Sequence, residues 1–135
     1  MVDASLDPGQ EASPHTPEPA CWQDWVRREA RSRGLTITSG YRTPLHEIEL
    51  GGTSHSWHCQ GDRAHPGALD VGGSRPQLEA LFFATRKRFF GRIRELFLNV
   101  DEPHWRAIKN NVELDHNPEA GRAHHLHVAI SPWGS

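Results

Sequence analysis

The segment His124-His125-Leu126-His127-Val128-Ala129-Ile130 constrains the fold more than any other stretch of the chain. Read as a strand, its side chains leave alternately on opposite faces. His125 and His127 then share one face, while Val128 and Ile130 point to the other, into a core. The chain therefore needs a sheet with one apolar face and one face that presents imidazoles. Histidine is the commonest metal ligand and the usual proton shuttle, and this chain has ten, most of them in two clusters. The segment runs directly into apolar residues, which argues against a purification-tag remnant. An exposed polar strand face is the plainer alternative.

The remaining elements follow from spacing. Trp22, Trp25, Val26 and Ala30 recur at helical intervals, with Arg27, Arg28, Arg31 and Arg33 on the other side and Gly34 as a stop. Leu35–Thr38 alternates and is β-branched, so it reads as a strand. Ser39–Arg42 turns away from it, and Thr43–Ala64 is a long polar loop carrying His46, His55 and His58. Ala68–Val71 reads as a short buried strand closed by Gly72-Gly73. Ser74 is the expected cap of a helix with Pro76 in its first turn. That helix runs to about Phe90, with Leu78, Leu81, Phe82, Ala84 and Phe89 inward and Arg86, Lys87 and Arg88 solvated. Ile93–Val100 is ambiguous, with a strand favoured at Leu96–Asn99. Glu102–Arg122 reads as mostly loop. The order helix, strand, strand, helix, strand, strand predicts an α+β fold, a small mostly antiparallel sheet with helices packed on one face.

Composition closes off several classes. A chain of 135 residues holds one domain comfortably. Its 36% hydrophobic and 24% charged residues are polar for a globular domain but not a disordered composition. No apolar run approaches the roughly 20 residues of a membrane helix, so membrane insertion is not expected. With 15 basic and 17 acidic residues the net charge is −2, which speaks against nucleic acid as a partner. Cys21 and Cys59 are too few for a disulfide scaffold or a four-cysteine zinc site. Residues 1–20 are acidic and proline-rich with no apolar signal core, and read as a disordered leader before a domain at 21–135. That reading places synthesis in the cytoplasm, with a virion or release at lysis as routes out.

The second histidine cluster surrounds Ser56-Trp57-His58-Cys59-Gln60-Gly61 and His65-Pro66-Gly67-Ala68-Leu69-Asp70. Asp70 sits within an apolar strand, where a carboxylate is costly unless paired or metal-bound. Alone it reads equally as a turn aspartate beside Gly72; with the histidine clusters, metal ligation is the better reading. A catalytic zinc site takes three protein ligands and leaves a position open. A loop histidine, Asp70 and His127 fill that quota, with Cys59 as an outside candidate. Zinc so held brings the pKa of water down towards ~7, and a nearby base must collect the proton.

Ser39-Gly40-Tyr41-Arg42, Ser56-Trp57-His58, Ala68–Val71 and His125–Ala129 occur in an order that resembles the zinc D-Ala-D-Ala carboxypeptidase and L-alanyl-D-glutamate peptidase family. That family sits in a larger group with the lysostaphin-type peptidases and the hedgehog signalling domain. The versions in phage tail and lysis proteins look most similar, and the resemblance runs from about Trp22 to Ile130. It implies a zinc cofactor held by His58, Asp70 and His127. It also implies that Arg42 holds a substrate carbonyl or carboxylate, a task suited to a permanently charged fork of donors. Tyr41 and Trp57 are the accompanying substrate-binding candidates, and Trp57 and Trp105 are candidates to line the cleft.

The chain departs from the family pattern twice. The family's H-x-x-G-x-A-x-D spacing is stretched by an insertion around Asp62–Pro66, which carries His65 as a rival first ligand. The family's acidic base, three residues before the last ligand, is replaced by His124. Related peptidases use the first histidine of H-x-H, which is His125 here. The candidate bases are therefore His125 and His124, with Asp115 and His116 as distant contributors. The expected function is a zinc metallopeptidase, of carboxypeptidase or endopeptidase type. Its expected substrates are short D-amino-acid peptides of peptidoglycan stems, and it is expected to act as a monomer. The alternative is a non-catalytic zinc-bearing or phage structural domain of the same fold.

Overall fold

The computed structural model describes residues 21–49 and 57–131. The leader at 1–20, His55 and Ser56 lie outside them.

The first helix, α1, spans Trp22–Ser32. Trp22, Val26 and Ala30, one turn apart, are buried. Gly34, at φ +74°, ends it. Leu35 N–H donates to Ala30 O at 2.8 Å and Gly34 N–H to Arg31 O at 3.1 Å, the paired bonds of a Schellman stop. Strand β1 follows at Thr36–Ser39. The segment expected to be all loop holds a short helix, α2, at Pro44–Glu49. Thr43 Oγ1 accepts the His46 N–H at 3.2 Å, so Thr43-Pro44 starts a helix where polarity alone suggested none. A single 3₁₀ turn covers Trp57–Cys59.

Strand β2 is Leu69–Gly72, and helix α3 is Arg75–Arg88. Ser74 takes the N-cap position with extended backbone, but its side chain makes no capping hydrogen bond. Thr85, not Ala84, is fully buried on the inner face. Its hydroxyl is satisfied by donating to Leu81 O at 2.7 Å. The next strand, β3, is Ile93–Asn99, longer than expected because it pairs along both edges. The segment read as mostly loop forms β4 at Arg106–Lys109 and β5 at Val112–Glu113. Asn110 and Asn111 join them with φ of 51° and 67°, the two-residue turn with both centres left-handed. Strand β6 is His125–Ile130.

Among the described residues the sheet order is β1-β2-β6-β3-β4-β5, with every neighbouring pair antiparallel. Helices α1 and α3 cover one face. Leu69, Val71, Leu96, Leu98, Leu126, Val128 and Ile130 meet Val26, Ala30, Leu78, Leu81 and Phe82 there, all fully buried. Trp25 and Phe89 close one end edge to face, 5.2 Å between centroids. The fold is the expected α+β arrangement. The alternation that buries these residues puts Asp70, Glu95, Phe97, His125 and His127 on the opposite face.

Candidate metal centre

Asp70 on β2 and His127 on β6 are cross-strand partners, directly opposite in two neighbouring interior strands. His127 Nδ1 lies 3.1 Å from Asp70 Oδ1. His58 arrives from the 3₁₀ turn, with Nε2 3.2 Å from Asp70 Oδ2. All three are buried, with one donor atom from each within 4.8 Å of the others. The opposite nitrogen of each histidine is already engaged. His58 Nδ1 meets Gly40 O at 2.7 Å, and His127 Nε2 meets Glu95 Oε1 at 2.7 Å. If each of those nitrogens carries the N–H, His58 Nε2 and His127 Nδ1 present lone pairs to the centre, the outer-shell arrangement typical of ligating histidines. Ligand pairs about a tetrahedral zinc ion stand about 3.4 Å apart. The imidazole and carboxylate chemistry and the spacing of this cluster both fit that ion.

Electrostatics binds the cluster. Burial works to raise the Asp70 carboxyl, but hydrogen bonds from His127 and His58 outweigh it and hold the group well below the usual carboxylate range. Burial works to lower His127, yet Asp70 and Glu95 push it up to about 10. Arg42 Nη2 reaches Asp70 Oδ2 at 3.0 Å, and its Nε donates to Ser39 Oγ at 2.9 Å. The Arg42 N–H donates to His58 O at 2.7 Å, so one residue ties the turn after β1 to the histidine turn. Phe97 stacks on the His127 ring, 5.2 Å between centroids.

The cluster opens into a cleft of about 710 Å³, lined by Arg42, Trp57, Lys109, His116, Glu119 and Arg122. His125 lies beside it. Its Nδ1–H donates to Ala123 O at 2.7 Å, and its Nε2 stands 2.7 Å from Glu119 Oε1 and 3.9 Å from Asp70 Oδ1. Burial works to lower His125, but Glu119 raises it above its ordinary value. Burial likewise works to raise Glu119, and His125 brings it below its own.

Other sequence candidates lie elsewhere. His124 turns out of the cleft and pairs with Asp101 at 3.0 Å, half-exposed. His65 is 63% exposed beside Asp62 and does not reach the cluster. Tyr41 is half-buried and is not part of the cleft wall. Trp105 packs against the core and donates to Glu102 instead of lining the cleft. His116 reaches the cleft rim, paired with exposed Asp115. Cys59 falls outside the three-donor group.

Two residues of the site were not singled out from the sequence. Glu95 alternates with Phe97 and Asn99 along β3, so an acid in an apolar strand was the available signal, the same one that marked Asp70. Glu119 had none, because its place depends on how the loop before β6 folds.

The family model for peptidase M15 matches residues 9–99. No curated protein and no solved structure matches the chain. The matched stretch encloses Arg42, His58 and Asp70 and stops before His125 and His127, which the sheet supplies by pairing β6 with β2. With well over half of its length matched, the chain belongs to the peptidase M15 family.

Proposed function

We propose that the cleft hydrolyses short D-amino-acid-containing peptides of peptidoglycan, with zinc held by His58 Nε2, Asp70 and His127 Nδ1. The supporting observation is the convergence of three buried donors whose histidines are each oriented by an acceptor on the far nitrogen. Zinc in such a site supplies Lewis acidity, polarising a carbonyl and making water a usable nucleophile at neutral pH. Glu95 and Gly40 hold the two imidazoles in register. Arg42 fixes Asp70 and adds a permanent positive charge to the cleft wall, suited to an oxyanion or a terminal carboxylate. His125 Nε2 and Glu119 Oε1 form the proton-handling pair. They take a proton from the attacking water and return it to the leaving amine. Ala123 O holds the other edge of His125, which keeps Nε2 turned to Glu119.

Glu119 also weighs against the non-catalytic alternative. The acid that the family keeps three residues before its last ligand is missing here, and Glu119 brings a carboxylate into the same cleft from a different sequence position.

The test pairs metal analysis with turnover. The wild type should carry zinc and cleave a muropeptide with its D-residues intact, losing activity to a chelator and regaining it with zinc. His58→Ala and His127→Ala should lose the metal, and exposed His65→Ala should keep it. A wild type that takes up no zinc even after reconstitution sinks the proposal. Zinc without any muropeptide hydrolysis returns the non-catalytic reading.

A further inference from the structure

On the helix-covered side, the end of α3 carries apolar side chains that the core does not use. Phe90 is 84% exposed and Phe83 38%, and across from them Val112 on β5 is 62% exposed. Phe83 and Lys87 stand one turn apart on α3, and Phe90 follows in the turn just past its end. Arg86 and Arg106 flank Phe83, with guanidinium carbons 4.9 and 5.3 Å from its ring centroid. The nearby acid, Glu113, is spoken for by Arg86 at 3.8 Å. Beside Phe90 lies a mostly apolar notch of about 280 Å³, walled by Ile93 and Ile108, with the Arg86–Glu113 pair also lining it. Single exposed apolar residues are ordinary. An exposed ring at the edge of an apolar notch that Arg86 also lines, next to a second ring held between Arg86 and Arg106, is a surface with a preferred partner.

We propose that this patch docks on an anionic phospholipid surface, with Phe90 as the apolar wedge and Arg86, Lys87 and Arg106 at the level of the headgroups. Long basic side chains can keep their charge among phosphates while a neighbouring ring leaves water for the acyl boundary. Each cation near an anionic leaflet contributes to the attraction, within about one Debye length of the surface. A soluble polyanion would use the cations and leave Phe90 in water. A second copy of the chain, meeting this patch symmetrically, would have Glu113 alone, already paired with Arg86, to set against the cations. The net charge of −2 makes the attraction a property of this face and not of the whole molecule. The β4–β5 turn joins the two sites: Asn110 lines the cleft and Asn111 the notch. A docked molecule therefore keeps the cleft on the far side of one hairpin from the lipid.

The experiment is co-sedimentation of the full chain with vesicles of phosphatidylglycerol and phosphatidylcholine, beside vesicles of phosphatidylcholine alone. The protein should pellet only with the mixed vesicles, and less as salt rises. Phe90→Ala should weaken binding by about threefold or more, and Lys87→Glu with Arg106→Glu by about tenfold or more. All three side chains are exposed, so an unchanged melting temperature checks that each variant folds. No pelleting with mixed vesicles overturns the proposal, as does binding that neither variant weakens. Loss with the charge variant but not with Phe90→Ala would mark the patch as a site for soluble polyanions. A concentration-dependent dimer abolished by Phe90→Ala would assign it to a second copy.

Discussion

Glu119 Oε1 stands 2.7 Å from His125 Nε2 at the wall of the cleft, and that contact separates the candidate bases. Glu119→Gln keeps the shape of the side chain but removes its charge. It should lower kcat by roughly 10²–10⁴-fold while the protein still binds zinc. His124→Ala, whose side chain pairs with Asp101 outside the cleft, should leave turnover close to wild type. Steady-state kinetics on a muropeptide, with metal content measured on the same samples, separates the two. At this scale Asp70 and His127 stood out in the sequence, because a carboxylate in an apolar strand and an H-x-H repeat announce themselves; His58 stood out only through the family resemblance, with His65 as its rival. Glu119 did not. Asn117 sets its place by donating to Asn99 Oδ1 at 2.8 Å and accepting the Glu119 N–H at 3.1 Å. Neither bond leaves a trace in residue spacing.

At the level of elements, the β4–β5 hairpin rests on its turn. Asn111 sits at φ 67°, and its Oδ1 accepts the Ile93 N–H at 2.8 Å, so the turn is stitched to β3. Asn111→Ala loses that bond, strands a backbone donor and puts a Cβ-bearing residue without local hydrogen bonding in the left-handed region. The expected cost is about 1–3 kcal/mol, read from urea unfolding. The same turn explains why Glu102–Arg122 looked like loop. In β4 the apolar pair Ala107-Ile108 stands side by side and does not alternate, β5 is two residues long, and the Asn-Asn pair that joins them was the available signal. By contrast β6 was legible in full, since His125–Val128 alternates and Ala129-Ile130 carries the apolar run to its end. Helices α1 and α3 were legible from their apolar spacing, apart from a residue or two at their ends.

For the molecule as a whole, the buried ion pairs tie stability to pH and metal. In metal-free protein the raised His127 contributes stability that is complete below its ordinary value of 6.5 and lost as pH rises through about 10. The lowered Asp70 contributes stability that is complete above 3.8 and lost as pH falls below it. The melting temperature attributable to this site should therefore be highest between those two ordinary values and fall on either side. Zinc must displace the His127 proton, so calorimetric titrations near pH 7 in buffers of different ionisation enthalpy should show protons released on binding. Zinc at a hundredfold excess over its dissociation constant should add about 2.7 kcal/mol, seen as a higher melting temperature. The two sides of the centre also differ in kind. Asp70 and His127 are fixed by the ladder between β2 and β6, whereas His58 stands on a lone turn outside the sheet. The site is built like an anvil with one separate jaw, latched by the bonds of His58 to Gly40 and Arg42. Metal would enter and leave by the swing of that jaw, so its exchange rate would measure how often the His58 turn opens while the sheet stays shut.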